Sequence, residues 1–140
     1  MSEKKKLLVL LCATGLWHAG PVCATAAVLN QVQRNYLNLL IERQVGYSSD
    51  REIIKTWSES RKAAEFICRP LAKKIISEKY PSTDKVILSQ GKEGDVYLKS
   101  STLLVGEGAF RAGEQWMNFS FQCELSETTG KPLKFDFRSW

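Results

Sequence analysis

The sequence predicts an α+β fold of two layers, N-terminal helices packed on a C-terminal antiparallel β-meander, with one disulfide. Three observations carry this. Apolar residues recur at helical spacing up to about Lys79 and in alternation beyond Asp84. Turn-forming residues divide the alternating part into short segments. Cys68 and Cys123 fall one in each part, and in an exported chain such a pair reads as a structural bridge.

Export is read from the first residues. Lys4, Lys5 and Lys6 form a positive segment, Leu7 to Trp17 is an uncharged stretch of eleven residues, and small residues permit cleavage before Thr25 or Ala27. Eleven residues fall well short of the roughly 20 that a spanning helix needs. Residues 1–24 therefore read as a cleaved signal peptide, leaving no integral membrane segment, and the expected location is periplasmic or secreted. Cleavage removes Cys12, Cys23 and the only histidine, His18, and lowers the formal charge from +5 to +3. Without imidazole the ordinary hydrolytic triads lose a member, and metal sites lose their commonest ligand, so neither metal nor cofactor is expected. The remaining lysines are scattered rather than gathered in the patch typical of nucleic-acid binders, so no nucleic acid is expected as partner.

Residues 25–140 read as a single domain of 116 residues. Between Ala26 and about Val45, Leu29, Val32, Tyr36, Leu37, Leu40 and Ile41 recur at helical spacing opposite Gln31, Arg34, Asn38 and Glu42. Gly46 suits a stop. Ser49 and Glu52 have capping-box spacing, which predicts a second helix from near Asp50 with Ile53, Ile54 and Trp57 on one face. Ala64, Phe66, Ile67, Leu71, Ala72, Ile75 and Ile76 continue the helical pattern to Lys79, and Pro70 must kink this helix or open a new one. Residues 25–61 hold no cysteine once Cys23 is removed and read as a semi-independent helical segment.

Val86 and Leu88 begin the first strand, Gln90 to Gly94 is a turn, and Val96 with Leu98 resumes the alternation. Thr102 to Val105 and Ala109 to Arg111 make a third strand in which Gly106 and Gly108 allow a bulge or a close backbone approach. From Met117 to Leu125 every odd residue is apolar and every even one polar, so Cys123 faces the core, within reach of the Cys68 helix. Ser126 to Lys131 is a hairpin loop, and Leu133, Phe135 and Phe137 form the last inward row.

The segments Phe66 to Ala72, Asp84 to Val86, Gly106 to Arg111 and Trp116 to Glu124 follow in an order that resembles the bacterial exported family catalogued as domain of unknown function 930. The resemblance covers about residues 62–140 and implies export in a bacterium, with no activity attached.

The chemistry on offer is sparse. Gly106-x-Gly108 is followed by alternating strand sequence rather than the helix a phosphate loop requires. Glu93, Asp95, Glu107 and Glu114 lie near turns where two carboxylates can flank a glycosidic bond. Arg111 and Trp116, near the turn between two strands, are the candidate binding surface: a planar guanidinium and an indole suit a glycan or a peptide. The expected function is a non-enzymatic binding or envelope-interaction module with a protein or an envelope glycan as partner. The alternative is a carboxylate-dependent hydrolase acting on envelope glycan.

Overall fold

The computed structural model describes residues 27–92 and 94–140. The export signal, His18, Cys12, Cys23 and Glu93 lie outside the described residues. Among the described residues four α-helices precede five strands: α1 (Gln31–Gln44), α2 (Ser48–Lys55), α3 (Glu59–Ala63), α4 (Arg69–Lys79), β1 (Thr83–Ile87), β2 (Val96–Ser100), β3 (Leu103–Ala112), β4 (Gln115–Leu125) and β5 (Pro132–Ser139). The helices pack on one face of an antiparallel sheet, so the two-layer α+β expectation holds.

Helix α1 starts later than its apolar pattern implies, because Asn30 caps it. Its side-chain oxygen accepts the Gln33 N–H at 2.9 Å while the Gln33 side chain accepts the Asn30 N–H at 2.9 Å. This is the capping box the sequence assigns to Ser49 and Glu52, where none forms: Ser49 already lies in the first turn of α2, and Glu52 pairs with Lys55 instead. The buried face of α1 also shifts. Val32 is 46% exposed, whereas Gln33 is fully buried and donates to the carbonyls of Ser101 (2.6 Å) and Ser126 (3.3 Å). Leu29 and Leu37 enter the core on either side of it, and Tyr36 lies against Gly130, where a Cβ would stand 2.7 Å from that of the tyrosine. In α2, Ile54 is buried and Ile53 faces solvent.

Between α3 and α4 the helix widens into one π-turn, Ala64–Cys68, in which Arg69 N–H reaches back to the Ala64 carbonyl. Pro70 explains it. A proline inside a helix lacks the N–H donor and crowds the carbonyl four residues earlier, and the wider turn relieves both conflicts before Pro70 enters the first turn of α4. The π-turn is buried throughout except at Glu65, and Cys68 leaves it to bond Cys123 on β4, both half-cystines fully buried.

The inward row of β4 forms as the alternation dictates: Phe119, Phe121, Cys123 and Leu125 are buried and Asn118, Gln122 and Glu124 exposed. Phe119 lies among Phe110, Phe121, Phe135 and Phe137 at ring separations of 5.9 to 6.4 Å. Leu133 departs from the expected row. The β4–β5 register shifts at Leu125, and Leu133 is left 67% exposed.

The meander has one interruption. β1 and β2 both pair with β3 along the same edge, β1 opposite Ala109 to Ala112 and β2 opposite Leu103 to Gly106. They are two halves of one edge strand, separated by a loop from Leu88 to Asp95 that leaves the sheet and returns. Gly106 and Gly108 stand at the two crossings, which makes them sites of close approach. A Cβ on Gly106 would meet Val96 and the Asp95 carbonyl at 2.5 and 2.6 Å, and one on Gly108 would collide with the Ile87 carbonyl.

Four outcomes follow from these contacts. Cys68→Ser with Cys123→Ser removes a bridge closing a 55-residue separation, and chemical denaturation is expected to show a loss of up to about 4 kcal/mol. Leu37→Ala is expected to cost about 2–5 kcal/mol, and Gln33→Ala about 1–3 kcal/mol because two interior carbonyls lose their donor. A truncation removing Leu29 to Gly46 is expected to lose its cooperative transition; survival of a sharp, oxidised transition would mark α1 as dispensable to the core.

Candidate functional site

The helices cover only the inner face of the sheet, so the outward side chains of every strand meet solvent or one another. Register fixes which lie side by side. One row across the sheet is Tyr97, Val105, Gln122 and Asp136; the next is Glu107, Ser120 and Arg138. Neighbours within a row are about 4.8 Å apart, and rows repeat about every 7 Å along the strands. The central strands supply the short side chains Val105 and Ser120, beside Gly106, together with the longer Glu107 and Gln122. The flanking strands supply long ones, Tyr97 and Lys99 on β2, Asp136 and Arg138 on β5. The result is an open trough of about 800 Å³ with a low floor and raised sides.

Its electrostatics are mixed. Glu107 and Asp136 are balanced by Lys99 and Arg138, and Asp136 has Lys134 at 3.4 Å on its own strand. Asp95, at the rim, spends its carboxylate on the interrupting loop, accepting from the Ser89 hydroxyl at 3.2 Å and the Gln90 N–H at 2.7 Å. The loop is further held by Glu65 of the π-turn, which accepts the Ser89 N–H at 3.0 Å. The Asp95 carbonyl accepts from Glu107 N–H at 3.0 Å, tying the rim to the floor. Tyr97 is 52% exposed and is the aromatic ring presented at the β2 side of the trough.

Farther along the same face, two rows beyond Glu107 and Ser120, Arg111 and Trp116 are cross-strand partners at the β3–β4 hairpin. The guanidinium lies 5.6 Å from the indole centroid, and its remaining donors grip Asp84: Nε at 3.0 Å and Nη2 at 2.6 Å. The hydrogen bond from Arg111 holds the Asp84 carboxyl below its ordinary range and raises Arg111 in return. Arg111 is thus engaged within the protein, while Trp116 remains 49% exposed as a flat platform.

Of the carboxylates singled out from sequence, Asp95 and Glu107 both line the trough and Glu114 does not. Asp95 is committed to the loop, Glu107 lies in the trough, and Glu114 sits in the hairpin turn with φ of 69° at the far end of the face. The sequence reading passed over Tyr97, Gln122, Asp136 and Arg138, whose grouping depends on register between strands. Their signal was the polar half of each alternating strand. Among the described residues no group of three or more His, Cys, Asp or Glu side chains is placed to hold a metal ion, and no helix is long and apolar enough to cross a membrane.

A family model described as Domain of Unknown Function (DUF930) matches residues 55–139. The match takes in both bridged cysteines, all five strands and every residue of the trough; α1 lies outside it. No curated protein and no solved structure matches the chain.

The Asp84–Arg111 pair has a definite pH dependence. Because the folded carboxyl titrates below its ordinary value of 3.8, the pair contributes above that value and is lost as pH falls through the lowered one, Arg111 staying protonated throughout. Carbon-detected titration of the Asp84 carboxyl is expected to give a midpoint below that of Asp84 in an Arg111→Gln variant. Equal midpoints would mean that the pair does not persist in solution.

Proposed function

This chain belongs to the DUF930 family, and we propose that it is an exported, non-enzymatic binding module of the bacterial cell envelope whose ligand lies on the outer face of the sheet. The observation that carries the reading is the bare outer face itself: a trough walled by long polar side chains, with the Trp116 platform two rows farther along the strands. Clefts with a few convergent polar groups are where proteins of this size take ligands. Export is supported by the buried Cys68–Cys123 bridge, since such bridges persist in oxidising compartments. Binding rather than turnover is favoured because the Asp95 carboxylate is engaged by the Ser89 hydroxyl and the Gln90 N–H, and Glu114 lies in the β3–β4 hairpin outside the trough.

Two measurements test this. Fractionation of cells expressing the full chain is expected to recover it in the periplasm or medium with both thiols oxidised; a reduced cytoplasmic protein would end the envelope assignment. Amide spectra of the oxidised protein, recorded against solubilised envelope material, are expected to shift at Tyr97, Glu107, Ser120 and Gln122 while α1 stays unchanged. Shifts confined to α1, or turnover of an envelope glycan lost in Glu107→Gln, would replace the reading with a helix-docking or a hydrolytic one.

A further inference from the structure

We propose that the ligand is a linear, uncharged oligosaccharide lying along the strands from Tyr97 to Trp116, an inference that rests on the outer-face reading and specifies its ligand. The trough lies in the middle of the sheet, where the backbone of β3 is paired on both sides by β2 and β4, and that of β4 by β3 and β5. An extended peptide binding by strand addition needs unpaired backbone groups, and these two strands have spent theirs. Recognition must come from side chains. Those available are planar and able to make two hydrogen bonds at once: the Glu107 and Asp136 carboxylates, the Gln122 amide and the Arg138 guanidinium. Adjacent hydroxyls on a sugar ring present paired donors and acceptors at matching spacing.

Charge supports the same class. Lys99 and Arg138 stand against Asp95, Glu107 and Asp136, an excess of one negative charge with Asp95 already engaged by the loop, so the trough has little field to draw in a polyanion or a polycation. Its floor, Val105, Gly106 and Ser120, is shallow and offers no deep apolar socket for a peptide side chain. Instead exposed rings stand on the face, Tyr97 and Trp116, with Trp140 beside Asn118 in the row between them. Tyr97 is opposite Val105 and Trp116 opposite Arg111, so the rings are separated by six residues of β3, about 20 Å along the strand. Aromatic faces stack on the apolar face of a sugar ring, and platforms that far apart suit a chain of several sugars. The ladder between β3 and β4 is unbroken over this span, so the spacing is fixed by a paired sheet rather than by loops.

The test is calorimetric titration and amide-shift mapping of the oxidised full chain with chitobiose to chitotetraose, cellobiose to cellotetraose, and a polar, uncharged tetrapeptide. The expected result is saturable binding of at least one sugar series with affinity rising with chain length. Tyr97→Ala should weaken every member of that series about tenfold and Tyr97→Phe should not. Trp116→Ala should weaken the tetrasaccharide and leave the disaccharide unchanged. Length-independent binding, or a Trp116→Ala variant that binds the tetrasaccharide as well as the parent, would overturn the two-platform geometry. Outer-face shifts with the peptide and none with either sugar series would overturn the ligand class while leaving the outer face as the binding surface. Silence of outer-face amides toward all three probes would overturn both.

Discussion

The Cys68–Cys123 bridge joins the helical layer to β4, an inner strand paired on both sides, and the arrangement of everything else follows from that attachment. Cys68 is at the end of a π-turn, where the helix has been widened ahead of Pro70. Cys123 belongs to the inward row of β4, with Phe121 and Leu125 beside it. A covalent link at that point commits every helix to the inner face, because a helical layer this small cannot also wrap the other side. The outer face is left to water and to whatever binds there.

What shapes that face is the interruption in its edge. A continuous strand opposite β3 would have presented one more even row of side chains. The chain instead leaves at Ile87, closes a loop through the Asp95 carboxylate, and returns at Val96. The crossings are crowded enough that only glycine fits at positions 106 and 108. Both glycines belong to the inward row of β3, with Leu104 and Phe110, so a larger residue at Gly106 would push against Val96 and the Asp95 carbonyl at the rim of the trough.

Helix α1 stands outside the matched family region yet supplies part of the core. Leu29 and Leu37 are buried, and Gln33 uses its amide twice, once to cap its own helix and once to bind the carbonyls of Ser101 and Ser126 at the end of the sheet. An interior amide with all its groups engaged orients a helix more sharply than an apolar contact does, since any displacement leaves polar atoms unpaired. Its opposite side carries Val32 and Leu39 toward solvent.

The sequence by itself determined the order of elements, the inward row of β4 and the pairing of the two cysteines, because these rest on local periodicity and residue chemistry, whereas Gly106 and Gly108 were left as a bulge or a close approach until the crossings of the edge strand decided it. It misplaced the capping box and read Val32 and Leu133 as core, because a cap competes with its neighbours for the same N–H groups and a register shift turns a side chain over without any mark in the sequence. Arg111 and Trp116 were legible as a pair, since the turn between them makes them cross-strand neighbours. The trough was not. Tyr97, Glu107, Gln122 and Arg138 come from four strands, and only the register of those strands, set by burial of the opposite face, brings their polar sides together.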